Sequence, residues 1–146
     1  MKNQKKVYIA GPLCEKENRD FLEQIDNMCK ELGFETFLPH RDAGLYNGDE
    51  NKIKDISKKD LQEIYNCDLM IGVLNGIYVG AGTAWEMGYA QAIGKKVIGL
   101  KIDRKVKDSI SEISVIMAGQ VNIIESLEEL KKQLEIKLKN EIQWKM

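Results

Sequence analysis

Short apolar runs alternate with helical segments along almost the whole chain, and this alternation strongly limits the folds that the chain can adopt. The apolar runs, which we interpret as strands, lie at 5–10, 34–38, 68–74, 96–101 and 121–124. The helical segments lie at 17–32, 57–66, 83–93, about 106–117 and 126–139. Strands that are apolar on both faces are typical of a parallel sheet covered by helices on both sides. The sequence therefore predicts an α/β fold, a three-layer α/β/α sandwich with a doubly wound, five-stranded parallel sheet of flavodoxin-like or Rossmann-like order.

This fold class predicts where a ligand binds. We expect a single domain over residues 1–146, a length typical of one domain. In doubly wound sheets, ligands bind beyond the carboxyl ends of the strands, where the strand order reverses. The loops that follow the first three predicted strands lie at 11–16, 39–54 and 75–82; the second is long and polar, and the third is rich in glycine. We expect the functional site among these three loops.

Charge and cysteine content exclude several classes of function. The chain has 22 Lys and Arg residues and 23 Asp and Glu residues, a net charge of −1, which gives no general attraction to polymeric nucleic acid or to a membrane surface. No apolar run approaches the roughly 20 residues of a membrane span, and we find no signal peptide. Three cysteines without a C-x-x-C pair favour a reducing compartment, and a single histidine excludes metal sites built from several imidazoles. We therefore predict a cytoplasmic protein whose acid–base chemistry rests mainly on carboxylates.

The densest motif is the glycine-rich stretch GAGTAWEMG at 80–88. Such a loop lets the backbone approach a ligand closely, and the helix that follows it favours anionic groups at its start. The stretch lacks the patterns of dinucleotide-binding and ATP-binding loops, so we do not predict those functions. Glu86 has two interpretations. Thr83 and Glu86 have the spacing of a capping box, which the local sequence favours, whereas a functional Glu86 would be a carboxylate ready to attack an electrophilic carbon.

Asp60 and Tyr8 have similar alternatives. Ser57 and Asp60 resemble a cap at the start of the predicted helix over 57–66, and an aspartate in the first turn needs no function. At the mouth of the third strand, Asp60 would instead hydrogen-bond a ligand or donate a proton. Tyr8 on the first strand is interpreted as a core residue, although its hydroxyl would need a partner if buried.

Three consecutive polar residues follow the second predicted strand. His40, Arg41 and Asp42 come directly after Pro39, at the expected edge of the cleft. One such residue would mean little, but three together are typical of a binding set. We therefore predict that they contact the ligand.

Four segments in order along the chain carry a family resemblance. VYIAGPL (7–13), FLPHRD (37–42), KKDLQEIYNCDLMIGVLNG (58–76) and GTAWEMGYAQAIGKKVIG (82–99), with a looser match in VNIIESLEEL (121–130), resemble the nucleoside 2-deoxyribosyltransferase family. That family also contains the 2′-deoxynucleoside 5′-phosphate N-hydrolases. The pattern G-T-A-x-E-x-G-x-A after C-D-x-x-I is fairly specific to it.

The resemblance implies roles for three residues. It makes Glu86 the nucleophile that attacks C1′ of a 2-deoxynucleoside and forms a deoxyribosyl ester, which a second base or water then opens. Asp60 matches a residue near the base and the carboxylate, with a role in positioning or proton transfer. Tyr8 matches a tyrosine near the 2′ position that supports the nucleophile and excludes a ribose hydroxyl. This chemistry needs no metal and no cofactor.

The chain also departs from the family pattern. Gly80 stands where relatives have Asp or Ser, and Ser114 stands where transferases offer an asparagine from a neighbouring subunit to the 5′-hydroxyl. A serine there is a feature of the phosphate-binding hydrolases. The first loop, however, lacks the arginine that those relatives carry, for which Arg41 or Lys16 would have to substitute.

The remaining predicted contacts to substrate are made by Gly11, Pro12 and Gly82. The resemblance predicts an enzyme that exchanges the base of a deoxynucleoside, with a free nucleobase as second substrate. Hydrolysis of 2′-deoxynucleoside 5′-monophosphates at the same centre is the alternative, and a non-catalytic nucleotide-sensing module with Glu86 reduced to a cap is a third possibility. The resemblance also predicts a homo-oligomer with a shared active site.

Overall fold

A computed structural model describes residues 4–140, which form a five-stranded parallel sheet between two layers of helices. The sheet has the order β2-β1-β3-β4-β5, with strands β1 (Lys6–Ala10), β2 (Glu35–Phe37), β3 (Leu69–Val73), β4 (Lys96–Leu100) and β5 (Asn122–Ile124). The helices are α1 (Lys16–Glu31), α2 (Pro39–Asp42), α3 (Ile53–Asn66), α4 (Ala81–Ala92), α5 (Ile110–Ile113), α6 (Val115–Gln120) and α7 (Leu127–Lys139). The predicted fold class is confirmed, and this order is the flavodoxin-like one of the two alternatives.

The two faces of the sheet bury separate apolar clusters. Alternate residues of β1 point to opposite faces, so that Val7 enters one cluster and Tyr8 the other. The first cluster is covered by α1 and α7, and the second by α3, α4 and α5. The second face carries both Tyr8 and the helix that holds Glu86, two of the predicted site residues.

The helix predicted over 57–66 corresponds to α3, and its predicted start at Ser57 was wrong. Asp49 accepts a hydrogen bond from the backbone N–H of Asn51 and begins a 3₁₀ turn at Glu50–Lys52, which runs directly into α3. Ser57 therefore lies inside α3, where its hydroxyl donates to the carbonyl of Lys54 at 3.0 Å. A cap at this point is excluded, and Asp60 lies well inside the helix.

The segment predicted as one weak helix over 106–117 is divided. A 3₁₀ turn at Val106–Asp108 precedes α5 and α6, and Ser114 separates those two helices. Ser114 has a φ of +88°, a left-handed conformation that a continuous α-helix does not allow. None of the helices within residues 4–140 is long and apolar enough to cross a membrane.

Gly72 determines how closely α4 packs on the sheet. A Cβ added at Gly72, in the middle of β3, would lie 2.4 Å from Sδ of Met87 on α4 and 2.9 Å from its Cγ. Both residues are at the centre of the second face, where Met87 is fully buried. Any side chain larger than hydrogen at this position would therefore force the buried Met87 side chain to shift.

We predict that Gly72→Ala lowers the free energy of unfolding by about 1–3 kcal/mol, because the extra methyl overpacks this contact. Urea denaturation followed by circular dichroism would measure the change. Gly88→Ala on α4 is the matched control: no heavy atom lies within 4 Å of its added Cβ, so that variant should gain up to about 1 kcal/mol from helix propensity. A Gly72→Ala variant as stable as the wild type would contradict the close contact.

Candidate active site

A hydrogen bond between a buried tyrosine and a carboxylate lies at the centre of the candidate site. Tyr8 is fully buried on β1, its ring stacks on Phe37 with a centroid distance of 5.1 Å, and its hydroxyl donates to Oε2 of Glu86. The bond joins β1 to α4 on the second face of the sheet. Stacking on Phe37 fixes the ring, so that the hydroxyl holds Glu86 in one orientation.

Glu86 does not cap its own helix. The cap position of α4 is Gly80, and the helix begins at Ala81, two residues earlier than the sequence predicted. Glu86 is thereby placed more than one turn inside α4, where its carboxylate bonds to Tyr8 and not to the start of the helix. The capping-box interpretation of Thr83 and Glu86 was therefore wrong.

The environment of Glu86 favours its protonated form. Burial raises the pKa of Glu86 to about 7, the hydrogen bond from Tyr8 lowers it, and the charge of Asp60 raises it. Burial, followed by the charges of Glu86 and Asp60, raises the pKa of Tyr8 far above its ordinary value, so the tyrosine remains a neutral donor. Because folded Glu86 holds its proton more tightly than the unfolded chain does, its contribution to stability falls as the pH rises from about 4.5 to about 7.

Asp60 adds a second acidic group from α3. Its side chain is half-buried, and its buried Oδ1 has no hydrogen-bond partner among residues 4–140. Burial raises the pKa of Asp60 to about 6. Asp60 and Glu86, which we call the carboxylate pair, are linked electrostatically, because the charge of Asp60 raises the pKa of Glu86. Two such acids can divide the tasks of nucleophile and proton donor between them.

The predicted binding set after the second strand faces α1. Nε2 of His40 lies 3.1 Å from Oε1 of Glu23, and Nη1 of Arg41 donates to Oδ2 of Asp26 at 2.8 Å. Asp42 binds Arg41 in turn, at 2.7 Å. Since α1 covers the first face of the sheet, the structure does not bring His40 and Arg41 together with the carboxylate pair.

The glycines of the first loop (11–16) and of the third loop and the start of α4 (75–82) differ in how closely they are packed. A Cβ added at Gly11 would lie 2.6 Å from Leu22 of α1, so this glycine is needed for packing at the end of β1. A Cβ at Gly80 would meet only Oγ1 of Thr83, at 3.8 Å, and one at Gly82 would meet no heavy atom within 4 Å. The start of α4 is therefore open, whereas the end of β1, which continues into the half-buried Pro12, is tightly packed.

Ser114 lies apart from the carboxylate pair. It is exposed, and its hydroxyl accepts a hydrogen bond from the backbone N–H of Met117 at 3.4 Å. It borders a groove of about 390 Å³ together with residues of α4 that include Ala84, Gly88 and Gln91. Those positions are on the side of α4 opposite to Glu86.

Lys16 and Arg41, the two residues proposed to substitute for an arginine of the first loop, both bind acidic side chains of α1. Lys16 bonds to Asp20 at 2.7 Å, and Arg41 is held as described above. The arginine that does contact this loop is Arg19 of α1, which donates to the carbonyls of Leu13 at 2.7 Å and Cys14 at 3.0 Å. Because Arg19 lies one turn into the predicted helix, the sequence did not indicate that it contacts this loop. Nor did the sequence analysis find the charged groups that hold the third loop, Lys101 and Asp103.

The part of the chain that the structure describes contains no group of three or more His, Cys, Asp or Glu residues arranged to hold a metal ion.

Comparisons with known proteins agree with this architecture. The model of the family "nucleoside 2-deoxyribosyltransferase" matches residues 7–136. No curated protein gives a significant match. Among solved structures, a conserved protein from Enterococcus faecalis V583 superposes with a TM-score of 0.77 at 22% identity, over 92% of this chain and 99% of that one.

Two further solved structures carry functional names. The 2-deoxyribosyltransferase of Bacillus psychrosaccharolyticus has a TM-score of 0.75 at 21% identity, over 88% of this chain and 95% of that one. The CMP N-glycosidase of Clostridium botulinum has a TM-score of 0.56 at 25% identity, over 90% of this chain and 99% of that one. At 21–22% identity, the Enterococcus and Bacillus proteins show a shared fold.

We predict that Tyr8→Phe raises the pKa of Glu86 further above about 7, because the lost hydrogen bond favours the charged carboxylate. Carbon-13 NMR of the side-chain carboxyl groups as a function of pH would measure the midpoint. Tyr65→Phe removes the hydroxyl of an exposed tyrosine and should leave the Glu86 midpoint unchanged. An unaltered midpoint in Tyr8→Phe would show that the hydroxyl does not act on Glu86.

Proposed function

This chain belongs to the nucleoside 2-deoxyribosyltransferase family, and from that premise we propose that it cleaves the N-glycosidic bond of 2′-deoxynucleosides and transfers the sugar to another nucleobase. The observation that carries the proposal is the Glu86 carboxylate, which is held by the Tyr8 hydroxyl beside a second acid, Asp60. A nucleophile, a group that orients it and a proton donor are the parts that this chemistry needs.

In the proposed reaction, Glu86 is the nucleophile. An oxygen of the ionised carboxylate forms a bond to C1′ of the sugar while the bond from C1′ to the base nitrogen breaks, and that electron pair leaves with the base. The leaving nitrogen takes a proton from Asp60. A nitrogen of the second base then attacks C1′ and releases Glu86, while Asp60 recovers a proton from the incoming base. Two inversions retain the configuration at C1′.

Tyr8 acts on Glu86 in two ways. Its hydrogen bond lowers the pKa of Glu86 against the effect of burial, which increases the fraction of the nucleophile that is ionised near neutral pH. It also fixes the direction of the carboxylate, and a fixed nucleophile loses less orientational freedom on the way to the transition state. We further propose that the buried ring excludes the 2′-hydroxyl of a ribonucleoside.

Asp60 supplies the proton because its environment keeps it partly protonated near neutral pH. The pKa of Asp60 is raised to about 6 and that of Glu86 to about 7, so the coupled pair holds about one proton between these values. The reactive form has this proton on Asp60 and the negative charge on Glu86. This is the less populated of the two one-proton forms, because the pKa of Glu86 is the higher one. The Tyr8 hydrogen bond increases its share, since it stabilises the charge on Glu86.

Hydrolysis is the second candidate function. The Clostridium botulinum neighbour is named as a CMP N-glycosidase, an enzyme whose name describes release of a base from a nucleotide. In this chain, the open start of α4 at Gly80 leaves room beside the site. Water in place of the second base would convert the same ester into free sugar or sugar phosphate. The third possibility, a sensing module in which Glu86 only caps its helix, loses its structural basis because Glu86 bonds to Tyr8 instead.

We also propose that the enzyme is a homo-oligomer in which a neighbouring subunit completes each site. Val115 and Ile116 of α6 are 76% and 75% exposed, which is unusual for adjacent β-branched residues and favours an interface. Ser114 begins the same helix and is turned away from the Glu86 of its own chain. It is therefore better placed to serve the site of another copy.

We predict that Glu86→Gln lowers the rate of base release by at least about 10³-fold, because an amide cannot form the glycosyl ester. Chromatography of reactions with a deoxynucleoside or its 5′-monophosphate, each with and without an acceptor base, would follow the products. Base exchange that requires an acceptor supports transfer, and free sugar phosphate without one supports hydrolysis. Glu128→Gln, the same change at an exposed position of α7, should leave the rate unchanged. Full activity in Glu86→Gln would refute the proposal.

Asp60→Asn should lower kcat/KM by about 10²–10⁴-fold for an ordinary base, since the general acid is lost. The alkaline limb of its pH profile should disappear, because the group that must stay protonated is gone, and the rate should level off above the pKa of Glu86. A 7-methylated purine deoxynucleoside serves as the control, because its cationic base leaves without a proton and should be cleaved at a near wild-type rate. Equal impairment on both substrates would exclude proton donation by Asp60.

A further inference from the structure

The loop between β3 and α4 is held at its base by three charged side chains that bind the backbone N–H and carbonyl of one residue, Gly76. The backbone N–H of Gly76 donates to Oδ2 of Asp103 at 2.9 Å. The carbonyl of Gly76 accepts from Nζ of Lys101 at 3.2 Å and from Nη2 of Arg104 at 3.0 Å. Gly76 has a φ of +114°, so the chain turns there in a conformation that glycine adopts readily.

Lys101 is the buried member of this cluster. It is only 1% exposed at the end of β4, and its ammonium also bonds to the carbonyl of Leu74 at 3.2 Å and to Oδ1 of Asp103 at 2.9 Å. All three of its donors are thereby used. Burial of a lysine lowers the stability of the fold unless the ammonium is paired and hydrogen-bonded. The burial of Lys101 therefore indicates a specific role for it at this position.

We propose that Lys101 and Asp103 are positioning residues, which fix the start of α4 and so keep Glu86 in line with the reacting carbon. The loop leads from Gly76 to Gly80, the cap residue of α4, and Glu86 lies on that helix. A displacement of the loop base would therefore be carried along α4 to the carboxylate. Since misplacement of a reacting group by about 1 Å can cost about 10²-fold in rate, small shifts would be measurable.

This inference rests on the proposed function of Glu86, and the molecule offers a matched comparison. Nζ of Lys6 pairs with Glu63 at the beginning of β1, the opposite edge of the sheet, and Glu63 is likewise buried. That ion pair joins β1 to α3 and contacts no loop of the candidate site. Lys6→Met therefore controls for the general loss of a buried ion pair.

The test compares Lys101→Met, Asp103→Asn and Lys6→Met at a temperature well below the lowest Tm. We expect the first two to lower kcat for base release by about 10–100-fold with KM within about twofold of wild type, because misalignment acts on the chemical step. Lys6→Met should lose stability but keep its kcat. Wild-type kcat in both Lys101→Met and Asp103→Asn would overturn the proposal. If Lys101→Met does not fold, Asp103→Asn decides, since Asp103 is 34% exposed and tolerates the change better.

Amide hydrogen exchange gives a readout that does not depend on turnover. Exchange over residues 76–83 should be faster in Lys101→Met and Asp103→Asn than in wild type, and unchanged there in Lys6→Met. Unaltered exchange in the first two would overturn the positioning role even if the wild type is active. A wild type that acts on neither deoxynucleosides nor their monophosphates would refute the proposed function instead, while the exchange data would still decide whether the loop is held.

Discussion

The hydrogen bond from Tyr8 to Glu86 is the interaction on which the candidate site depends. It places a carboxylate in the buried layer between β1 and α4, and the hydrogen bonds and ion pairs of residues 4–140 include no cation that neutralises it. The fold therefore accepts an acid whose charged form is disfavoured by burial. Arrangements of this kind cost stability and concentrate at functional sites, because a poorly solvated carboxylate is also a more reactive one.

The sequence predicted the architecture well because the relevant signals are local. Apolar runs such as 68–74 identify buried strands without knowledge of their neighbours, and the alternation with helices then limits the topology. The need of Tyr8 for a hydrogen-bond partner followed from the chemistry of a buried phenol. The identity of that partner could not be predicted in this way, since Glu86 is 78 residues away and only the folded chain brings the two together.

The failures arose where a local pattern competed with a distant contact. Thr83 and Glu86 have the spacing of a capping box, but α4 begins at Ala81 and Glu86 turns to the sheet. Ligand contact by the polar residues after β2 stays a prediction, but the sequence did not indicate that the buried carboxylate of Asp26 on α1 pairs with Arg41. Lys101 gave no signal at all, because a lysine at the end of a strand is ordinarily exposed and only the course of a neighbouring loop buries it.

The close approach of α4 to Gly72 has a consequence for the size of the site. The Met87 side chain packs directly against the backbone of β3 at Gly72, and Glu86 immediately precedes Met87 on α4. The packing of α4 on the middle of the sheet, and with it the space around Glu86, therefore depends on the missing side chain at Gly72. A redesign that widens the space beside Glu86 would begin there, beneath the helix, and adjust the surrounding loops afterwards.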